Sequence, residues 1–426
     1  MLKRHYSIAP LPPPESLFAP IAGFTRIGLA VSGGPDSLAL MLLAAEWART
    51  ADKQLFVYAV DHGLRAESAG EVRFVIDNAA KLGLNARALR WTGDKPETGV
   101  QAAARDARYR LIAEAMAADG AEVLLTAHHA ADQAETLLMR LAHGSGLGGV
   151  GGIELMSTLP GGLPICRPLL NVAPESLKAV LAAAGVTPIT DPSNNNPEFE
   201  RVRWRQLLPV LEKLGLGPAR FGQFATRAQR ADSALQQLCD EVFARAATID
   251  EFDVVHMARD MLRAQPEELQ VRLVQKALNI AGGAARPFAL APVETLAADL
   301  LTAKPGKRKT LHGALVAVRD DAILFGREPG RIEKTPCILA PGAEIVWDNR
   351  FVVSHFGEDG PVEIRPALTA TRDEIAAWTG RSMTGLAAHL QAAPRVTRIS
   401  DGHLLAIGCI SLHEDVRVRL TASPHN

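Results

Sequence analysis

The residues best placed to do chemistry begin with one string, Ser32-Gly33-Gly34-Pro35-Asp36-Ser37, set between the apolar run 26–31 and a helix-forming stretch from Leu38 to Arg49. Two adjacent glycines let the backbone turn sharply and approach an anion without a Cβ clash. The amides that follow, at a helix N-terminus, direct positive partial charge at that anion. Ser32 and Ser37 add hydroxyl donors. Asp36 is the odd member, because a carboxylate repels phosphate, and a Mg²⁺ ion between them resolves the conflict. The plain alternative is a tight turn with Asp36 or Ser37 as helix N-cap.

Further polar residues fall at the ends of other apolar runs. Leu55 to Val60 reads as a strand that stops at Asp61-His62-Gly63. Glu122 to Thr126 reads as another, ending in Ala127-His128-His129 ahead of Asp132 and Glu135. The last two are three apart and share a helix face. Adjacent histidines diverge, so a zinc site is disfavoured; one of the two rings is expected to pack and the other to face a nucleotide. Arg105 and Arg108 share a face of the helix predicted over 100–119. Arg201 and Arg205 are four apart, a spacing that shares a helix face, and the plain alternative to a binding role is a solvated cationic face.

The elements that must position these residues alternate. Strands at 26–31, 55–60, 86–91 and 122–126 are separated by helices, which implies right-handed crossovers and an open parallel sheet with helices on both faces. In such sheets ligands bind beyond the strand C-termini, where the polar residues lie. Gly144 to Gly152 holds six glycines in nine residues, a turned or flexible loop and a candidate moving element. Past Pro209 the pattern becomes mainly helical, with a hairpin expected around Asp320-Asp321. After about 330 short strands with Gly and Pro take over, an α+β style. Boundaries are expected after residues 20, 209 and 330, with 1–20 an irregular arm.

Of 426 residues, 47% are hydrophobic and 22% charged, which suits two or three globular domains and excludes a disordered chain. Lys and Arg number 46 against 47 Asp and Glu, so a nucleic-acid partner requires a local basic face. Two stretches offer one, with eight basic against four acidic residues in both 201–245 and 304–334. Four separated cysteines form no CxxC pair and read as reduced thiols. No segment approaches the ~20 apolar residues of a membrane span, so a cytoplasmic protein is expected.

The Ser32–Ser37 string resembles the SGGxDS loop of the N-type ATP pyrophosphatases, the PP-loop enzymes. Taken in order with Val60–Arg65, Gln101–Tyr109, His128–Thr136, Arg140–Gly146 and Asp191–Asn194 ahead of Arg201, Arg203 and Arg205, it resembles the tRNA(Ile)-lysidine synthetase family. Two departures stand out. The family usually writes HHxDDQ, and here Ala131 replaces the first acid while Asp132 keeps the second; Asn196 stands where Asp is frequent.

The resemblance implies ATP and Mg²⁺ as cofactors. It implies as substrates an isoleucine tRNA with a CAU anticodon and free L-lysine, and it leaves room for a homodimer. The nucleotide would be held by Ser32 to Ser37, Asp61, His62 and His129, the metal by Asp36 and Asp132, and the leaving pyrophosphate balanced by Arg108. Arg201, Arg203 and Arg205 would hold tRNA, as would residues 210–330 and 331–426. Asp132 or Glu135 is the candidate base for the lysine amine. The rivals are a thiolase-type PP-loop enzyme, which lacks its paired cysteines here, and a non-catalytic tRNA-binding relative.

Overall fold

The computed structural model describes residues 11–63, 67–93, 95–96, 98–159, 161–189, 197–283, 289–368, 375–377, 380 and 387–421. The chain divides into two compact units, Met1–Asp232 and Ser233–Asn426.

The first unit runs α1 (Pro14–Leu17), β1 (Arg26–Ala30), α2 (Pro35–Ala51), β2 (Gln54–Asp61), α3 (Ser68–Lys81), β3 (Asn85–Arg90), α4 (Val100–Asp119), β4 (Val123–Leu125) and α5 (Ala130–Ala142). It continues through α6 (Leu147–Val150), β5 (Met156–Thr158), β6 (Pro164–Cys166), α7 (Pro174–Ala184), α8 (Glu200–Lys213) and the long α9 (Pro218–Ala246), which runs past the unit boundary. The sheet order is β3-β2-β1-β4-β6-β5, parallel throughout except for the edge strand β5.

The parallel strands are apolar on both faces because helices cover both. Ile27, Leu29, Leu55, Val57, Val123 and Leu125 pack in one core with α2, α3 and α7. The alternate residues Phe56, Tyr58, Leu124 and Ile165 pack against Ile112 and Met116 of α4. Gly28 belongs to this second face, where a Cβ would meet Tyr58 and the Met116 sulfur at 3.0 and 3.1 Å. The expected open α/β sheet is present, with β5–β6 an unforeseen edge built from short runs that carry no period-two signal.

Residues 14–20 correct the expected irregular arm. Leu17, Phe18 and Ile21 are buried, and the Phe18 ring stacks on Trp47 of α2 at 4.8 Å. The expected boundary after 209 also moves, since α8 packs on α5 and the first unit extends to Asp232.

The second unit joins the end of α9 to β7 (Ala247–Ile249), β8 (Val255–Ala258), α10 (Arg259–Arg263), α11 (Glu267–Gly282), α12 (Leu290–Thr302), β9 (Arg308–Leu311), β10 (Ala314–Val318) and β11 (Ala322–Arg327). Then follow β12 (Cys337–Leu339), β13 (Glu344–Trp347), β14 (Phe351–His355), β15 (Val362–Pro366), α13 (Ala387–Leu390), β16 (Pro394–Arg398), β17 (Leu404–Ile407), β18 (Ile410–Ser411) and β19 (Val416–Leu420). The hairpin around Asp320-Asp321 is β10–β11, inside the sheet β7-β8-β11-β10-β9. Two more sheets, β12-β15-β16-β17-β18 and β13-β14-β19, complete the C-terminal α+β region.

The boundary expected at 330 does not separate cores. Phe252, Val254, Ala317 and Leu324 share one buried cluster with Ala367, Leu390, Ala393 and Ile407. Removing residues 331–426 is therefore expected to uncover the first four. Phe252, Val254 and Leu324 each lose up to about 1.5–3 kcal/mol of burial. Thermal unfolding followed by circular dichroism should show a marked loss of stability; an unchanged transition would mean that the helical part stands alone.

Candidate active site

The strand order places β2 on one side of β1 and β4 on the other, so the crevice opens beyond the C-terminal ends of β1 and β4. A cavity of about 550 Å³ lies there, within the range of small-molecule sites. The loop after β1 forms its floor. Gly33 has φ +85°, a conformation that favours glycine, and a Cβ there would stand 2.9 Å from Ile189 Cδ1, whose side chain would have to shift. Gly34 is the N-cap of α2 and Pro35 its first residue, and no side chain caps the helix. The first-turn amides thus remain for an anion. Ser37 is largely an internal strut: its hydroxyl donates to the Gly34 carbonyl at 3.0 Å and accepts the Ser32 amide at 3.2 Å. Ser32, Gly34, Pro35, Asp36 and Ser37 line the cavity.

At the end of β2, His62 lines the cavity and Asp61 does not. Asp61 accepts the Ser68 hydroxyl at 2.5 Å and the Gly63 amide at 2.8 Å, and the Ser68 bond holds its pKa below the ordinary value. It braces the turn. Burial, then the nearby Arg108 guanidinium, pushes His62 down to about 4. The neutral ring accepts from Arg108 Nη2 at 2.9 Å, which leaves its proton on Nδ1. That buried nitrogen finds no protein partner. Arg105, Arg108 and Tyr109 of α4 line the same wall.

The end of β4 corrects the histidine assignment. His128 lines the cavity, bonded to Thr126 Oγ1 at 2.9 Å, and burial lowers it to about 4. His129, expected to face the nucleotide, is buried behind it as the N-cap of α5. Its Nδ1 accepts the Asp132 amide at 3.3 Å while Asp132 Oδ2 accepts the His129 amide at 2.9 Å, a reciprocal capping box. On its far side Nε2 lies 3.5 Å from Asp36 Oδ2. Burial opposes the imidazolium, but Asp36 and Asp132 outweigh it and hold the His129 pKa above its usual value.

Beyond Asp132 the charges alternate. Arg201 Nη2 donates to Asp132 Oδ1 at 3.0 Å and its Nε to Glu135 Oε2 at 2.7 Å. Arg205 Nε donates to Glu135 Oε1 at 2.6 Å. Glu135 is 0% exposed, so it cannot serve as a base toward a bound amine, contrary to expectation. Arg201 and Arg205 line the cavity, whereas Arg203 is exposed and donates to the Pro197 and Glu198 carbonyls.

Ala131 packs at the edge of the apolar cluster formed by α5, α8 and α9. Glu71 of α3 also lines the cavity; nothing in its sequence neighbourhood marked it, since it lies on an ordinary amphipathic helix. The Asp191–Asn194 string and Asn196 lie outside the described residues. The glycine loop does not line the cavity; Arg140 donates to the Gly149 and Gly152 carbonyls at 2.7 and 2.6 Å, and Gln229 to Gly151 at 2.6 Å. All four cysteines are free thiols, and no described helix is long and apolar enough to cross a membrane.

A doubly wound sheet with a glycine turn feeding an uncapped helix at its switch point defines a PP-loop nucleotide-binding fold, and a family model described as a PP-loop domain matches residues 14–211. The chain is 40% identical to the tRNA(Ile)-lysidine synthase of Bradyrhizobium diazoefficiens, across 75% of this chain and 94% of that one. It is 43% identical to that of Rhodopseudomonas palustris, across 74% and 94%, and 35% to that of Ruegeria pomeroyi, across 85% of each. The chain belongs to the tRNA(Ile)-lysidine synthase family.

Proposed function

We propose that the cavity beyond β1 and β4 is where this enzyme forms lysidine on tRNA(Ile) at the expense of ATP. The observation that carries this reading is the convergence of the PP-loop, His62, Arg105, Arg108, Arg201 and Arg205 on one cavity of about 550 Å³. In the reading favoured here, the C2 oxygen of the wobble cytidine of a CAU anticodon attacks the α-phosphate of ATP and pyrophosphate leaves. The ε-amine of free L-lysine then attacks C2 and AMP leaves.

The chain's own groups suit the first step. The first-turn amides of α2 and the Arg108 guanidinium offset charge growing on pyrophosphate. The unpartnered His62 Nδ1–H is a donor that a nucleotide can satisfy. Mg²⁺ fits Asp36, which is 35% exposed and faces the cavity, because Mg²⁺ commonly takes one carboxylate plus substrate phosphates. It fits Asp132 poorly, since both oxygens of that carboxylate already accept hydrogen bonds. When bound, the ion would screen the phosphates from Asp36. We assign Asp132 to orienting His129 and Arg201 instead.

A cytoplasmic location and a homodimer belong to this proposal as well, the latter open to analytical ultracentrifugation. The decisive assay supplies radiolabelled lysine, ATP and a CAU-anticodon tRNA. Label is expected in the tRNA with AMP and pyrophosphate as co-products. Stoichiometric ADP, or modified tRNA without lysine, would overturn the reading.

A further inference from the structure

The first half of α9 presents a face that the cavity does not use. Between Pro218 and Ala231 there is no Asp or Glu, while Arg220, Arg227 and Arg230 are all present. The inward positions Phe221, Ala225 and Ala228 are buried, and the first two pack with Ala134 and Leu137 of α5. That contact fixes α9 against the helix whose first turn holds Asp132 at the cavity.

On the outward side Arg220, Phe224 and Arg227 follow at i, i+4 and i+7 and therefore form one stripe, which Arg230 extends by a turn. All four are exposed, Phe224 to 48%. Arg220 donates to the neutral Gln223 at 3.1 Å. Among the described residues none of the three arginines pairs with a carboxylate.

An exposed aromatic ring flanked by uncompensated guanidiniums matches a polyanion that also carries flat rings. RNA supplies both, through phosphates and unstacked bases. Leu207, Val210, Leu214 and Leu216 are exposed on the adjoining α8–α9 hairpin, which by itself would suit an apolar protein partner. Such a partner would have to desolvate three unpaired cations, a costly step.

We infer that this face of α9 binds the RNA substrate directly, with Phe224 stacking on an unpaired base and Arg220, Arg227 and Arg230 contacting phosphates; the assignment rests on the tRNA reading above. It puts an RNA-gripping surface on the catalytic unit itself.

The test uses the full chain with two variants, the triple substitution R220Q/R227Q/R230Q and Phe224→Leu. Both preserve helix-forming character. The Kd for a CAU-anticodon tRNA(Ile) transcript is measured against salt concentration, with the Kd for ATP as a check on the cavity. The triple variant is expected to reduce the slope of log Kd against log salt by about 2–3. Phe224→Leu should weaken binding about 5- to 150-fold with the slope retained. ATP affinity should not change in either. If both variants bind the transcript as the wild type does, the inference fails. If they instead alter self-association in sedimentation while RNA binding holds, the face is a protein interface and the inference also fails. A wild-type chain that never binds the transcript would sink the functional reading, and this one with it.

Discussion

Asp36→Asn is expected to lower the single-turnover rate of tRNA adenylation by about 10²–10³, the usual loss when one charge-stabilising group is removed from a water-poor site. The side chain keeps its shape, so α2 and the glycine turn should persist and melting should change little. What disappears is a negative charge with two duties: it faces the cavity at the PP-loop, and it lies 3.5 Å from His129 Nε2. The rate should be followed across a Mg²⁺ titration. Asp36→Asn should need far more Mg²⁺ to reach its own plateau. Asp132→Asn should slow the reaction with the Mg²⁺ midpoint unmoved, because that carboxylate is engaged by the His129 amide and Arg201. Equal shifts of the midpoint in the two variants would return Asp132 to the metal and overturn the division of roles.

Glu135→Gln should act on stability as well as on activity. The native carboxylate is fully buried and receives the Nε–H of both Arg201 and Arg205. Breaking a buried ion pair costs about 3–5 kcal/mol. The lower end is expected here, since the Arg201 and Arg205 side chains are 40% and 45% exposed and can turn to water. The amide of Gln still offers one acceptor, but two like charges would stand side by side with only Asp132 left to balance them. Chemical denaturation should report the loss, and under folding conditions the KM for ATP should rise as the two guanidiniums leave the cavity wall. A variant with unchanged stability and KM would show that α8 is held on α5 by its apolar contacts alone.

The sheet was legible because its strands are short apolar runs ending in polar clusters, and a buried parallel strand leaves few other readings. The PP-loop was legible for a related reason: Gly33 at φ +85° next to Gly34 leaves a signature that survives without tertiary information. The histidine pair was misassigned because sequence cannot tell which of two adjacent rings turns inward; the capping box that draws in His129 depends on the chain path from β4 into α5. Glu135 looked like a candidate base because it shares a helix face with Asp132. Its burial comes from α8, which arrives 65 residues later in the chain. The domain boundaries failed where hydrophobic clusters join distant segments, as in the one that holds both Phe252 and Ile407. The arm failed where a few residues, Leu17, Phe18 and Ile21, carry the anchoring.

The glycine-rich segment from Gly144 to Gly152 has a thermodynamic side. Glycine loses more backbone freedom on ordering than any other residue. Here the Gly149, Gly151 and Gly152 carbonyls are gripped by Arg140 and Gln229, and Gln133 brackets Ile153 through both its amide nitrogen and its carbonyl. The entropy is therefore given up when the unit folds, not when a substrate arrives. Pre-ordering of this kind removes a later cost from binding. It also means that the glycines serve close approach between loop and helices, as at Gly152, where a Cβ would lie 2.4 Å from Gln133 Oε1.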